Sequence, residues 1–310
     1  MLTNIQNVAT QVLILFILIA VGFVCRKIRL LNEATVKGLS DLVVYIVTPA
    51  NIITAFHRDF RSDLLKGLGL AFLTAFLVYL IAGIAAKLII REKDPDKRAV
   101  LRFASAYPNA GYMGIPLQRA ILGDIGVFYC AAYIGMFHMF IWSYGVSILD
   151  RDYQGFTKAA LKKILLSPCI VSIFIGLILF FSPFTLPTVI LSPLTSLASL
   201  ATPVPMIIIG YYLAGSSLKS IFGNAYIYVG TFIKMVFSPA LAIVLCLLFG
   251  CDSDMTVSCV IACSASSAAM TTMLAAKYGR NTEVSAGMVS FTTLAAIILM
   301  PLFIAIAQMV

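Results

Sequence analysis

The residues best suited to chemistry run from Tyr107 to Pro116, Tyr-Pro-Asn-Ala-Gly-Tyr-Met-Gly-Ile-Pro. They lie inside a long apolar segment, near where the middle of a membrane helix would fall. Pro108 and Pro116 each remove a backbone donor and crowd the preceding turn. Gly111 and Gly114 add backbone freedom that an intact helix disfavours. Asn109 supplies both a donor and an acceptor. A helix broken at membrane depth exposes polar backbone groups that lipid cannot satisfy. Such breaks persist where protein buries them or where they line a wet cavity. Interrupted helices of this kind form the binding sites of many secondary transporters.

A second polar stretch, Cys263-Ser-Ala-Ser-Ser-Ala-Ala-Met-Thr-Thr272, stands where lipid-facing Leu would be expected. Two half-helix N-termini meeting at such breaks present free N–H groups and the positive ends of their dipoles, which suit a carboxylate. Asn109 either donates its amide to that carboxylate or only caps the broken helix. Ser266 and Ser267 either donate hydroxyls from the other side or serve as small residues for helix packing. Tyr112 either edges the cavity or packs. Asn51, just after Pro49, lines the site or braces the seventh segment, because an unpaired amide in lipid is costly. Lys234 is the cation deepest within an apolar run. It faces inward, adding anion attraction or standing in for a coupling cation, or it snorkels to the surface. His138 relays protons or packs. Tyr211 and Tyr212 read as interfacial or packing aromatics.

The elements that position these groups follow from composition. The chain is 61% hydrophobic and 11% charged, a balance of membrane spans rather than a soluble domain. The net charge of +9 does not imply nucleic acid, because the cations sit in short loops and no basic stripe carries exposed aromatics. Seven cysteines form no CxxC and read as packing residues. No HExxH, GxSxG or P-loop occurs, so the reading is a non-enzyme without cofactor or metal. The acids lie in loops or near span ends. A cation–proton exchanger needs a buried carboxylate, so an organic anion is the favoured cargo. Met1–Thr10 holds no Lys or Arg, and Arg26-Lys27-Ile28-Arg29 follows the first apolar run, the reverse of a secretory leader.

Apolar runs and breaks give ten expected segments: 8–25, 37–56, 64–90, 98–121, 125–149, 164–182, 187–214, 225–249, 255–277 and 283–308. Most of the 22 Lys and Arg fall in odd-numbered loops, Lys219 among them; the other side holds Arg58, Arg61, Lys66 and Arg119. Odd loops are then cytoplasmic and both termini lie outside, in a multi-pass protein of the plasma membrane. Residues 1–163 and 164–310 form two weakly similar halves. Thr48-Pro49 matches Thr202-Pro203, and Leu122-Gly123-Asp124 matches Tyr278-Gly279-Arg280. Each half has five spans, so the second inserts inverted.

On these residues the chain resembles the auxin efflux carrier family, in its short bacterial form, over essentially its whole length. The most specific part is Asn109-Ala-Gly111-Tyr-Met-Gly114-Ile-Pro116, similar to the family's Asn-x-Gly-x-x-Gly-x-Pro. Ser167-Pro168, Lys234-Met-Val-Phe-Ser-Pro239 and Ala276-Lys-Tyr278-Gly279 add to it. The resemblance implies an all-α membrane protein of ten transmembrane helices in two inverted five-helix repeats, with crossing broken helices 4 and 9. It also implies a scaffold and a transport domain. Bacterial relatives are associated with small organic acids such as malate and malonate, and plant ones with indole-3-acetate. The implied partners are a small organic anion and membrane lipid, with proton or sodium coupling and a homodimer left open. One departure is that the ninth-helix break holds no proline between Cys259 and Ala276. A sodium-coupled bile-acid-like symporter is the alternative transporter reading, though only Asn109 and Asn51 are offered as amide ligands. A non-transporting membrane sensor is the other alternative, and no output domain is recognised.

Overall fold

A computed structural model describes residues 2–151, 153, 155, 157–182, 185–215, 222 and 224–310. Lys219, one of the loop cations, and Asp152, one of the loop acids, lie outside these residues. The described chain is helical, with no strand beyond one isolated bridge. In chain order the helices are α1 Leu2–Lys27, α2 Glu33–Phe56 and α3 Ser62–Ile89, α4 Pro95–Ala106, α5 Ile115–Leu122 and α6 Asp124–Leu149. They continue as α7 Lys158–Leu165, α8 Pro168–Phe181, α9 Thr188–Gly215 and α10 Ala225–Leu248, α11 Ser253–Ser264, α12 Met270–Lys277 and α13 Thr282–Ala307.

Six of these, α2, α3, α6, α9, α10 and α13, are long and apolar enough to cross a membrane. The fourth and ninth expected segments are not continuous helices. Each is split, into α4 and α5 and into α11 and α12.

Local chemistry sets the ends. Asp94, Asp252 and Asn281 accept backbone N–H bonds from Asp96, Met255 and Val284, each at 2.8 Å, and so cap α4, α11 and α13. Ser167 caps α8 ahead of Pro168, and Asn224 caps α10. Gly123 and Gly279 close α5 and α12 with φ of 66° and 61°, a region that disfavours any side chain. Three of the four wide π-type turns among the described residues, Val43–Val47, Ala110–Gly114 and Ile233–Phe237, immediately precede Thr48-Pro49, Ile115-Pro116 and Ser238-Pro239, while the fourth, Ile141–Gly145 within α6, has no proline after it. Proline lacks the N–H that would close the preceding turn and its ring clashes with the carbonyl four residues back, so the turn widens.

Packing divides the helices. α1 lies along the second half of α9, while the second half of α2 lies against α8 and the first half of α9. Elsewhere α3 packs on α4 and α6, and α11 packs on α6, α10 and α13. Close approach of α1 and α9 needs Gly22 and Gly210, where an added Cβ would meet the facing backbone.

Candidate functional site

The two split helices meet at their breaks. α4 ends at Ala106 and Tyr107 turns extended, with φ −107° and ψ 116°. α11 ends at Ser264 and Ala265 turns extended, with φ −60° and ψ 151°. Pro108 and Ser267 then face each other as an antiparallel bridge. Asn109 N–H donates to the Ser266 carbonyl at 2.7 Å, and Ala268 N–H donates to the Tyr107 carbonyl at 3.0 Å. Each break thus supplies the backbone partners the other lacks, which is what burial of a broken helix demands. The second break forms without proline because the first one's backbone holds it open.

Side chains reinforce the crossing. Ser267 donates its hydroxyl to the Ala104 carbonyl at 2.8 Å, and its N–H donates to Thr292 Oγ1 at 3.0 Å. The Ser267 hydroxyl is therefore committed to a helix-end carbonyl. The hydroxyl of Ser266 is buried with no hydrogen-bond partner among the described residues. Tyr107 is wedged between Phe103, at 4.7 Å between ring centroids, and Tyr79, at 6.1 Å. Gly114, in the wide turn before α5, faces the Ala262 backbone of α11. Pro116 is buried in the first turn of α5.

Lys234 is fully buried, and its ammonium donates to the Cys263 carbonyl in the last turn of α11. Of the two readings its sequence position allows, snorkelling is excluded in this arrangement. The amine sits where the α11 dipole is negative, a favourable place for a cation. It does not line either cavity described next.

Two adjoining cavities of about 270 and 210 Å³ border the crossing and share Asn109, Tyr212, Ala269 and Met273. The first has Arg26 and Glu33 at its rim and Thr272, Ser290 and Thr293 in its wall. The second is lined by Asp41, Tyr45, Gly111, Tyr112 and His138. Asn109 stands at the wall common to both. Its backbone carbonyl accepts from Met113 N–H at 2.9 Å, but its side chain makes no capping bond. The Asn109 side chain therefore does not cap the following turn, and the residue borders both cavities. The Tyr112 hydroxyl donates to the Ser40 carbonyl at 3.3 Å while its ring borders the second cavity.

Asn51 is a brace. Its amide donates to the Ala198 carbonyl of α9 at 3.4 Å, and its oxygen accepts from Arg119 Nη2 at 2.7 Å. It lines neither cavity, and of the two roles open to it on sequence its contacts are those of the brace. The cause is Arg119 of α5, which sequence reading counted only as a loop charge and which also pairs with Asp124 at 2.8 Å.

Sequence reasoning missed Arg26, Glu33, Asp41 and Tyr212 at the cavities. Arg26 donates to the Tyr211 carbonyl at 3.0 Å and stacks 4.5 Å over the Tyr211 ring. Asp41 is exposed and borders the second cavity from within α2, rather than simply marking a span end. Its signal was its spacing. Asp41 and Tyr45 lie four apart and so share a helix face.

Beyond the crossing, Arg280 joins α12 to Asp96 of α4 at 2.6 Å and to the Leu149 carbonyl of α6 at 2.7 Å. Arg151 adds a second bond to Asp96 at 2.6 Å. Arg280, and then Arg151, hold the Asp96 carboxyl below the ordinary carboxylate range. This node ties the far ends of both split helices to α6.

Apolar helices around two paired helix breaks, with cavities beside the crossing, are an arrangement that membrane transporters use. The sequence matches the family model described as "Membrane transport protein" over residues 7–304, and the chain belongs to that family. It is 28% identical to an uncharacterised transporter of Methanocaldococcus jannaschii over 309 residues, covering 94% of this chain and 96% of that one. It is 25% identical to an uncharacterised transporter of Methanothermobacter thermautotrophicus, covering 74% and 76%. The resemblance to auxin efflux carriers read from the Asn109–Pro116 motif therefore stands.

Proposed function

We propose that this transporter is a secondary carrier of a small organic anion, a mono- or dicarboxylate such as malate or malonate, working by alternating access. One observation carries the reading: the Asn109 side chain, not engaged in capping, stands at the shared wall of two cavities where two half-helices begin. Amide and N-terminal dipoles attract a carboxylate without a neutralising lysine in contact. Gly111 and Tyr112 border the same space. Ser266, Ser267 and Lys234 support the crossing from behind.

The split helices, the glycine closures at Gly123 and Gly279, and the proline turns at Pro49 and Pro203 favour two inverted five-helix repeats, 1–163 and 164–310. In this reading α1, α2, α8 and α9 form a scaffold and the remaining spans move against it. The cavity rims carry Arg26 and Glu33 at the α1–α2 turn. By loop charge that end is cytoplasmic, so the conformation is inward-open. Cysteines introduced at Leu2, Asp94 and Gln308 test this. Impermeant thiol reagents added outside should reach positions 2 and 308 and spare 94. Labelling of 94 from outside in intact cells would exclude the arrangement.

The transport reading is tested by counterflow in proteoliposomes. Internal unlabelled malonate or malate should drive entry of the labelled anion. Failure of every short carboxylate to exchange would remove it.

A further inference from the structure

His138 is the polar group of the second cavity that the proposed function leaves without a task. It lies on α6, is 8% exposed, and lines the 210 Å³ lobe that Asn109 also lines. Its Nδ1 is buried with no hydrogen-bond partner among the described residues. A buried ring nitrogen without a protein partner costs free energy and calls for a partner from outside the protein, a water, a proton or a ligand.

The charge around it is one-sided. The titratable groups lining this lobe are Asp41 and Tyr45 of α2, Tyr112 of the wide turn before α5, Cys169 of α8 and Tyr212 of α9. Met270 and Met273 of α12 complete that side and do not titrate. Tyr79 of α3 and Tyr107 stack on Phe140 and Phe137 beside His138. Both are neutral near pH 7. Lys158 and Lys162 of α7, which packs against the next turn of α6, are exposed. No Lys or Arg lines this lobe. Among the described residues, Asp41 is the one carboxyl and His138 the one basic side chain that line this lobe. An anion in this lobe would therefore meet a positive side chain only if His138 takes up a proton.

The geometry points to His138 as the second anchor of a short dicarboxylate whose other end is held at Asn109, and as the site where a proton enters the carrier with the anion. This rests on the organic-anion reading above and adds to it the substrate's second charge and the coupling ion. The step is a simple protonation. A hydronium ion entering from the aqueous side protonates a ring nitrogen and leaves water, the imidazolium pairs with the second carboxylate, and on the other side the dianion and the proton are released, returning a neutral imidazole. The anion stabilises the imidazolium, and by linkage the imidazolium raises anion affinity by the same factor.

Malonate is the probe. Its binding to purified protein is measured between pH 6 and 8 in wild type and His138→Gln, so that the ligand's own titration is common to both. Wild-type affinity should gain up to about tenfold per unit fall in pH beyond that of the variant. Calorimetry in buffers of different ionisation enthalpy should show proton uptake on binding, lost in His138→Gln. The sequence holds only His57 and His138, so labelled imidazoles give two signals, assigned with His57→Gln. Malonate should move the His138 midpoint upward, a readout that survives even if His138→Gln does not fold. Equal pH dependence in both proteins, or a His138 signal indifferent to malonate, overturns the inference and leaves the anion reading intact. No malonate binding by wild type at any pH overturns the inference, and no binding of any short carboxylate overturns both.

Discussion

Asn109→Ala is expected to abolish or severely weaken carboxylate transport in a protein that still folds and inserts. The backbone of Asn109 makes the bonds that hold the crossing: its N–H to Ser266, and its carbonyl to Met113. Alanine keeps both. What disappears is the amide at the wall shared by the two cavities. A lost hydrogen bond to a charged group costs about 1.5–3 kcal/mol, or roughly ten- to 150-fold in affinity. The check is equilibrium binding of malonate and malate beside thermal unfolding. Near-normal affinity with reduced stability would reassign Asn109 to holding the crossing alone.

Lys234→Met should act differently, through the fold. The lysine is fully buried and its amine donates to the Cys263 carbonyl at the end of α11. Methionine fills the space but leaves that carbonyl unpaired in the interior. Loss of such a bond is worth about 1–3 kcal/mol, and the variant should melt earlier. Lys234→Gln keeps a donor and should lose less. Because the amine lies outside both cavity walls, affinities for a mono- and a dicarboxylate of similar length should fall by the same factor. Had Lys234 faced the ligand, the inward-facing reading would give a larger loss for dianions, since Coulomb attraction scales with ligand charge. A stable variant that loses only dianion binding would put the ammonium in the field of the ligand after all.

Much of this was legible in the chain. The prolines and glycines from Tyr107 to Pro116 mark the first break because their effects are local and steric. The capping residues Asp94, Asp252 and Asn281 are equally local. The second break was harder to read, since no proline marks it. Its extended backbone at Ala265–Ser267 is imposed by pairing with Pro108, a contact between residues far apart in sequence. The same limit hid the partners of Asn51. Nothing near position 51 announces that Arg119 will reach it. Lys234 was visible as an intramembrane cation, but only the fold shows that a carbonyl of α11 receives it. Arg26 and Asp41 looked like span-end charges because their roles depend on which helix faces the crossing.

The central claim is that an organic anion sits at the crossing with its carboxylate on Asn109. The most direct measurement is a cryo-electron microscopy map of the purified protein with saturating malonate, compared with one without it. The account predicts ligand density touching the Asn109 amide, between the first turns of the second half-helices, in the cavity that Ala269 and Tyr212 also wall. Malonate bound elsewhere while the Asn109 cavity stays unchanged would contradict it.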